Sequence, residues 1–277
     1  TPEPQMTFTD DDLTHLETKG LPALPEAGRS GHVEHDGARI WYAEFGEGPP
    51  VVLLHGGLGN AGNWAYQVPA LVAAGYRVVG IDSRGQGRSS RDERPYSYRL
   101  MAADTRAVLD ALGIERAAFI GWSDGAVTSL EVARAAPERV AGVFFFACNV
   151  DGTGALPFAP TPLIDRIYAY HVSQYAALSP TPDRFEQMRD DLTIMQGSQP
   201  DYSSADLNAI AVPVWSVIGE GDEFIRREHA GYIARSVPHG RFLLLEAVSH
   251  FAPIQRPDMF NAVLLSFLDA VLPHHSD

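Results

Sequence analysis

From residue 32 onward, short runs rich in Val, Ile, Leu and Phe alternate with stretches whose apolar residues recur at helical spacing. The strand-like runs are H-V-E-H and R-I-W-Y-A-E-F, read as a starting hairpin, then V-V-L-L-H, R-V-V-G-I-D, A-A-F-I-G, V-F-F-F-A, V-W-S-V-I-G and R-F-L-L-L-E. Helical patterns fall near 63–74, 99–112, 124–136, 226–237 and 257–272. Strands separated by helix-length segments pair by crossing over the sheet. The pattern therefore predicts an α/β fold: a mostly parallel, twisted sheet with helices on both faces.

One gap breaks the rhythm. From Asn149 to Ala211 about sixty residues separate two strands, and unstructured loops of that length are rare in compact domains. The gap holds two amphipathic stretches, P-L-I-D-R-I-Y-A-Y-H-V-S-Q-Y-A-A-L and D-R-F-E-Q-M-R-D-D-L-T-I-M-Q. It is read as a small helical cap insertion. Residues 1–30, rich in Pro and acids, are read as an arm with one short helix, able to wrap the domain. The expected division is an arm at 1–30, a core at 31–149 and 211–277, and a cap at 150–210.

At 277 residues and 45% hydrophobic the chain can build one large core. A net charge of −14 with Lys19 as the single lysine leaves no basic stripe for a phosphate backbone, so no nucleic-acid partner is expected. No apolar run approaches the ~18 to 20 residues needed to span a bilayer, so no membrane insertion is expected and the protein is read as soluble. Thr1 at the start fits a cytoplasmic chain or one exported after signal cleavage. A homodimer is compatible with the sequence. Cys148, the sole cysteine, sits in V-F-F-F-A-C and is read as a small buried side chain.

Gly121-Trp122-Ser123-Asp124-Gly125 fits G-x-S-x-G, fed by a strand pattern and followed by a helical one. A strand that turns sharply into a helix strains its apex residue and leaves no room for side chains two positions to either side. Ser123 is thus the candidate nucleophile. Serine needs a base to take its proton and a carboxylate to hold that base. Asp222, in I-G-E-G-D after one strand, and His250, in V-S-H-F-A-P after the last, are the candidates, in the chain order Ser, acid, His. Asp151 is a competing acid. His171, His229, His239, His274 and His275 are read as surface or cap residues.

An oxyanion needs donors, and H55-G-G-L-G after V-V-L-L supplies a loop for them. The candidates are the N–H groups of Gly57 and Asp124, with Leu58 as the register-shifted option. Trp122 and Phe251, beside the serine and the histidine, are candidate substrate contacts, with packing as the alternative; Trp64 carries the same ambiguity. Asp82 and Asp104 are read as structural, tying loop and helix. No histidine or acid spacing suits a metal, and neither a metal nor a cofactor is expected.

Over residues 32–273 the chain resembles the α/β-hydrolase superfamily. The likeness rests on H55-G-G, D82-S-R-G-Q-G-R-S, Asp104, G-W-S-D-G, G-E-G-D222 and H250-F-A-P-I-Q-R-P. It implies the α/β-hydrolase fold and a Ser123–Asp222–His250 triad. Within the superfamily the G-W-S-D-G elbow resembles that of the valacyclovir hydrolase (biphenyl hydrolase-like) family, esterases of α-amino acid esters. There the acid after the nucleophile holds the substrate's ammonium group, which implies that role for Asp124. Ala126 departs from that family, which has a second glycine at this place. From the residues themselves, Asp124 has a second reading as a charge on a helix N-terminus, stabilising by about 0.3 to 1 kcal/mol.

The expected activity is a metal-free serine hydrolase cleaving a small carboxylic ester, with an amino-acid ester as one candidate. The same triad also suits a cofactor-free perhydrolase, a lactonase, a thioesterase or a C–C bond hydrolase. A small-molecule receptor on a hydrolase scaffold is the alternative of another class.

Overall fold

A computed structural model describes residues 7–272. Its centre is one eight-stranded sheet in the order β1-β2-β4-β3-β5-β6-β7-β8. The hairpin is β1 (Arg29–His35) and β2 (Ala38–Phe45), and the parallel strands are β3 (Pro50–Leu54), β4 (Arg77–Ile81), β5 (Ala117–Trp122), β6 (Val140–Phe146), β7 (Val214–Gly219) and β8 (Gly240–Leu245). β2 runs antiparallel to both β1 and β4; every other pairing is parallel. The sheet is mixed at one edge and parallel from β4 to β8, as the spacing of apolar runs predicts.

Side chains alternate across a strand, and this divides the interior. Val52, Leu54, Phe119, Val143 and Phe145 face one core layer, whereas Val51, Leu53, Ile120, Phe144 and Phe146 face the other. Buried on both faces, these strands read as unbroken apolar runs, the signature of a covered parallel sheet.

The helices are α1 (Thr14–Lys19), α2 (Gln67–Ala73), α3 (Tyr98–Ala111), α4 (Asp124–Ala135), α5 (Pro162–Leu178), α6 (Phe185–Ser198), α7 (Ser204–Asn208), α8 (Arg227–Ser236), α9 (Ala252–Gln255) and α10 (Pro257–Val271). Residues of α3, α4 and α8 join the first layer, and those of α2 and α10 the second. Among the described residues no helix is long and apolar enough to cross a membrane.

The long gap between β6 and β7 carries α5, α6 and α7. Phe185, Met188, Leu192 and Met195 of α6 pack into the first layer, while Ile164 and Ile167 of α5 pack into the second. The insertion therefore sits across the carboxyl edge of the sheet, keyed to both layers. Asp82 accepts from the N–H groups of Ala61 and Arg88 at 2.7 and 2.8 Å. Asp104 receives the Arg84 guanidinium and pairs with His35 at 2.7 Å.

Candidate active site

Three strand ends converge on one point. β5 stops at Trp122, Ser123 takes φ 54° and ψ −117°, and α4 begins at Asp124. A non-glycine residue in that region is held there by its surroundings. Here the Ser123 N–H donates to the Phe146 carbonyl at 2.8 Å, and the following helix is locked in place by two glycines. A Cβ on Gly121 would strike the backbone of Ala126 and Gly125, and one on Gly125 would strike the Leu54 carbonyl. The frame of the motif is thus a steric requirement at both ends.

Asp222 follows β7. Its Oδ1 accepts from the N–H groups of Phe224 and Ile225 at 2.8 and 2.9 Å, which fixes the carboxylate and aims Oδ2 at His250. His250 follows β8, and its Nδ1 lies 2.9 Å from Asp222 Oδ2. A carboxylate only accepts, so Nδ1 carries the proton and Nε2 is left with its lone pair. The ring is sandwiched edge-on by Phe224 and Phe251, and the backbone N–H donates to Glu223 Oε1 at 3.0 Å. Burial disfavours the imidazolium, yet the Asp222 carboxylate, aided by Glu223 and Asp124, outweighs it and holds His250 above its ordinary value.

The Ser123 hydroxyl faces the Cys148 thiol and makes no hydrogen bond to His250 among the described residues. Such bonds are often loose without substrate and tighten when one is bound. Cys148 is buried, and its thiol is pushed up by burial and by Asp124, so it is no nucleophile at neutral pH. The competing acid Asp151 is turned away: it caps the turn at Gly152–Gly154 through the Thr153 N–H.

The glycine loop after β3 has a defined donor arrangement. Leu58, named as the shifted oxyanion donor, is corrected by the structure: at φ 73° its N–H donates to Gln86 Oε1 at 3.0 Å and is spent. The N–H groups of Gly57 and Asp124 have no acceptor among the described residues. His55 at the head of this loop is neutral, since burial lowers it to about 4, and its Nε2 accepts from the Ser83 N–H.

Asp124 lies in the first turn of α4, as the helix-end reading expects, but it is not a solvated charge there. Its carboxylate, 6% exposed, accepts from the Tyr98 hydroxyl at 2.7 Å and from Gln196 Nε2 of α6 at 2.9 Å, not from its own helix's N–H groups. Burial raises its pKa against those two bonds and the nearby His250. Gly57 is glycine for the same reason: a Cβ there would lie 2.6 Å from Asp124 Oδ2 and 3.0 Å from Gln196 Nε2.

Trp122 is a second correction. Its ring packs in the core against Trp64 and Phe146, and its indole N–H donates to the His250 carbonyl, so it holds the histidine loop instead of lining a pocket. Trp64 is fully buried. Phe251, 5% exposed, packs in the second core layer with its edge to His250. His229 is not at the surface: it is 6% exposed and its Nε2 accepts from the Val150 N–H at 3.0 Å. His239 is exposed and His171 lies on α5, whereas His274 and His275 fall outside the described residues. Tyr98, Gln196, Gln86 and Glu223 all contact the site, and nothing in the sequence singled them out.

A family profile of the α/β hydrolase fold matches residues 49–177. The Mycobacterium tuberculosis epoxide hydrolase B is 40% identical over 122 residues, 43% of this chain and 34% of that protein. The chain thus spans about a third of that relative's length. The 2-hydroxy-6-oxo-6-phenylhexa-2,4-dienoate hydrolase of Comamonas testosteroni is 28% identical over 268 residues, covering 83% of this chain and 91% of that one. Among solved structures, Est816, described as an N-acyl homoserine lactone degrading enzyme, superposes with a TM-score of 0.67 at 27% identity, over 86% of this chain and 100% of that one. With the sheet order and the elbow, these matches show that the chain has the α/β-hydrolase fold.

Proposed function

We propose that this protein is a serine hydrolase that cleaves a small carboxylic ester through an acyl-enzyme on Ser123. The observation that carries the reading is the 2.9 Å contact between His250 Nδ1 and Asp222 Oδ2, at strand ends flanking a serine in a strained apex conformation. Ser123 Oγ attacks the acyl carbon and passes its proton to His250 Nε2. The carbonyl oxygen, now negative, sits on the N–H groups of Gly57 and Asp124. His250 returns the proton to the departing alcohol, then takes one from the attacking water and gives it to Ser123 Oγ as the acid leaves. Asp222 keeps the imidazole in the right tautomer and stabilises its charge throughout.

Replacing Ser123 with Ala tests this. Turnover of p-nitrophenyl acetate and butyrate is expected to fall at least about a thousandfold, the scale on which triad members act. Activity above a tenth of wild type rules the mechanism out. A lactone is opened by the same steps, and the likeness to Est816 supports including lactones in the substrate panel.

The amino-ester variant asks more of Asp124. Both its oxygens already have a donor and the carboxylate is buried beneath Tyr98 and Gln196, so a substrate ammonium must share Oδ2 with Gln196 or move it aside. We therefore expect kcat/KM for matched p-nitrophenyl esters of alanine and propionate to agree within about threefold, with Asp124→Asn leaving the ratio unchanged. A tenfold preference for the alanine ester, roughly 1.4 kcal/mol, lost in Asp124→Asn, reinstates the substrate anchor.

A further inference from the structure

We propose that Gln255 is a positioning residue for His250, and that the arm segment from Asp10 to Gly20 acts on the site through it. The proposal rests on the serine-hydrolase reading, because it concerns the placement of the base.

Gln255 ends α9, five residues beyond His250, and is 4% exposed. Its side-chain amide is used at both ends. Oε1 accepts from the N–H of Ser249, the residue before the base, at 2.7 Å. Nε2 donates to the carbonyl of Asp11 in the arm at 2.7 Å. Its backbone carbonyl accepts from the Asp10 N–H at 2.8 Å. One amide group thus joins the histidine loop to a segment some 240 positions away in the chain.

The arm is seated firmly enough to pass on a constraint. The Asp10 carboxylate accepts from the N–H groups of His15 and Leu16, both at 2.9 Å, and so starts α1. Leu13 and Leu16 are 0% and 1% exposed in the second core layer. Leu13 holds φ 59°, a conformation a leucine keeps only when its surroundings impose it. The other side of the arm grips the insertion: Arg166 of α5 donates to the Asp12 carbonyl at 2.7 Å and to Glu17 at 3.1 Å. Arg256 pairs with Asp11, but that pair is exposed and water competes for it. The buried amide is the stronger link, since its groups have no water to replace a lost partner.

The test compares Gln255→Ala, Leu16→Ala and the double variant in the full-length protein, reading kcat, KM, melting temperature and the pH midpoint of kcat/KM. Gln255→Ala is expected to lower kcat about tenfold with KM within twofold. The acid limb is expected to move to lower pH, because a loosened loop weakens the contact of His250 with Asp222, Glu223 and Asp124, the carboxylates that face it. Leu16→Ala, remote from the serine, is expected to lower kcat in the same direction, and the double variant to be no slower than Gln255→Ala by itself. Two results overturn the proposal: a folded Gln255→Ala with unchanged kcat and pH midpoint, or losses that multiply in the double variant. Should Gln255→Ala not fold, Leu16→Ala decides, an unchanged kcat counting against. Persistent activity in Ser123→Ala is a separate result that removes the mechanism and leaves these bonds as packing.

Discussion

The indole N–H of Trp122 donates to the backbone carbonyl of His250 at 2.9 Å. The residue before the proposed nucleophile therefore carries the loop that presents the proposed base, across 128 positions of chain. Trp122→Phe keeps the ring but removes the donor and leaves a buried carbonyl unpaired, at a cost of about 1–3 kcal/mol. We expect a lower melting temperature together with a several-fold loss in kcat. A loss of stability with full activity would show that the bond supports the fold and not the site.

The pH profile should report His250. Its folded value lies above the ordinary 6.5, so its charged form contributes stability that is fully present below 6.5 and lost as pH rises through the folded value. In the proposed mechanism activity runs the opposite way, because only the neutral ring takes a proton from serine. kcat/KM is expected to rise with pH, with a midpoint above 6.5. Asp222→Asn removes the carboxylate that outweighs burial; its midpoint should drop and its rate should fall by about 10⁴.

Gly125→Ala places a methyl against the Leu54 carbonyl, a backbone atom that cannot rotate aside. Overpacking costs about 1–3 kcal/mol where side chains can shift, and more where they cannot. The variant should be recovered in low yield or with a melting temperature many degrees down, as read by circular dichroism.

Gly57→Ala sets its new methyl against Asp124 Oδ2 and Gln196 Nε2. Moving the Gly57 N–H off the oxyanion costs about 10² to 10³ in rate. Truncating Gln196 removes the 3.0 Å contact and releases Asp124 Oδ2 from its donor so that the carboxylate can turn aside, and Gly57→Ala with Gln196→Ala should recover at least tenfold of that loss. Such non-additivity is the mark of residues in contact, and additive losses would place Gln196 elsewhere in solution.

The strands were legible because a parallel sheet covered on both faces writes itself as apolar runs, and β3 to β7 each coincide with one, whereas β8 is apolar at the sheet edge with Phe242 40% exposed. The helices were legible from their spacing. Ser123, Asp222 and His250 could be nominated because each follows a strand, and the fold brings those ends together. What the pattern does not contain is the choice of partner. Nothing local tells that Gln86 uses the Leu58 N–H, or that Gln196 reaches Asp124 from an inserted helix. Likewise His229 and Trp122 have polar groups whose acceptors or donors lie some 79 and 128 positions away. Such pairings depend on distances that exist only once the layers are packed.

The sheet order has a consequence for how this protein comes into being. Ser123 leaves β5, Asp222 leaves β7 and His250 leaves β8, with the α5–α6 insertion emerging in between. A chain synthesised as far as β6 already has its serine turn tied to the Phe146 carbonyl and still has no base. Non-local pairings of this kind form slowly, because the intervening chain must be ordered first. On the proposed function, ester turnover regained during refolding should therefore lag behind helix formation and mark the docking of the last two strands.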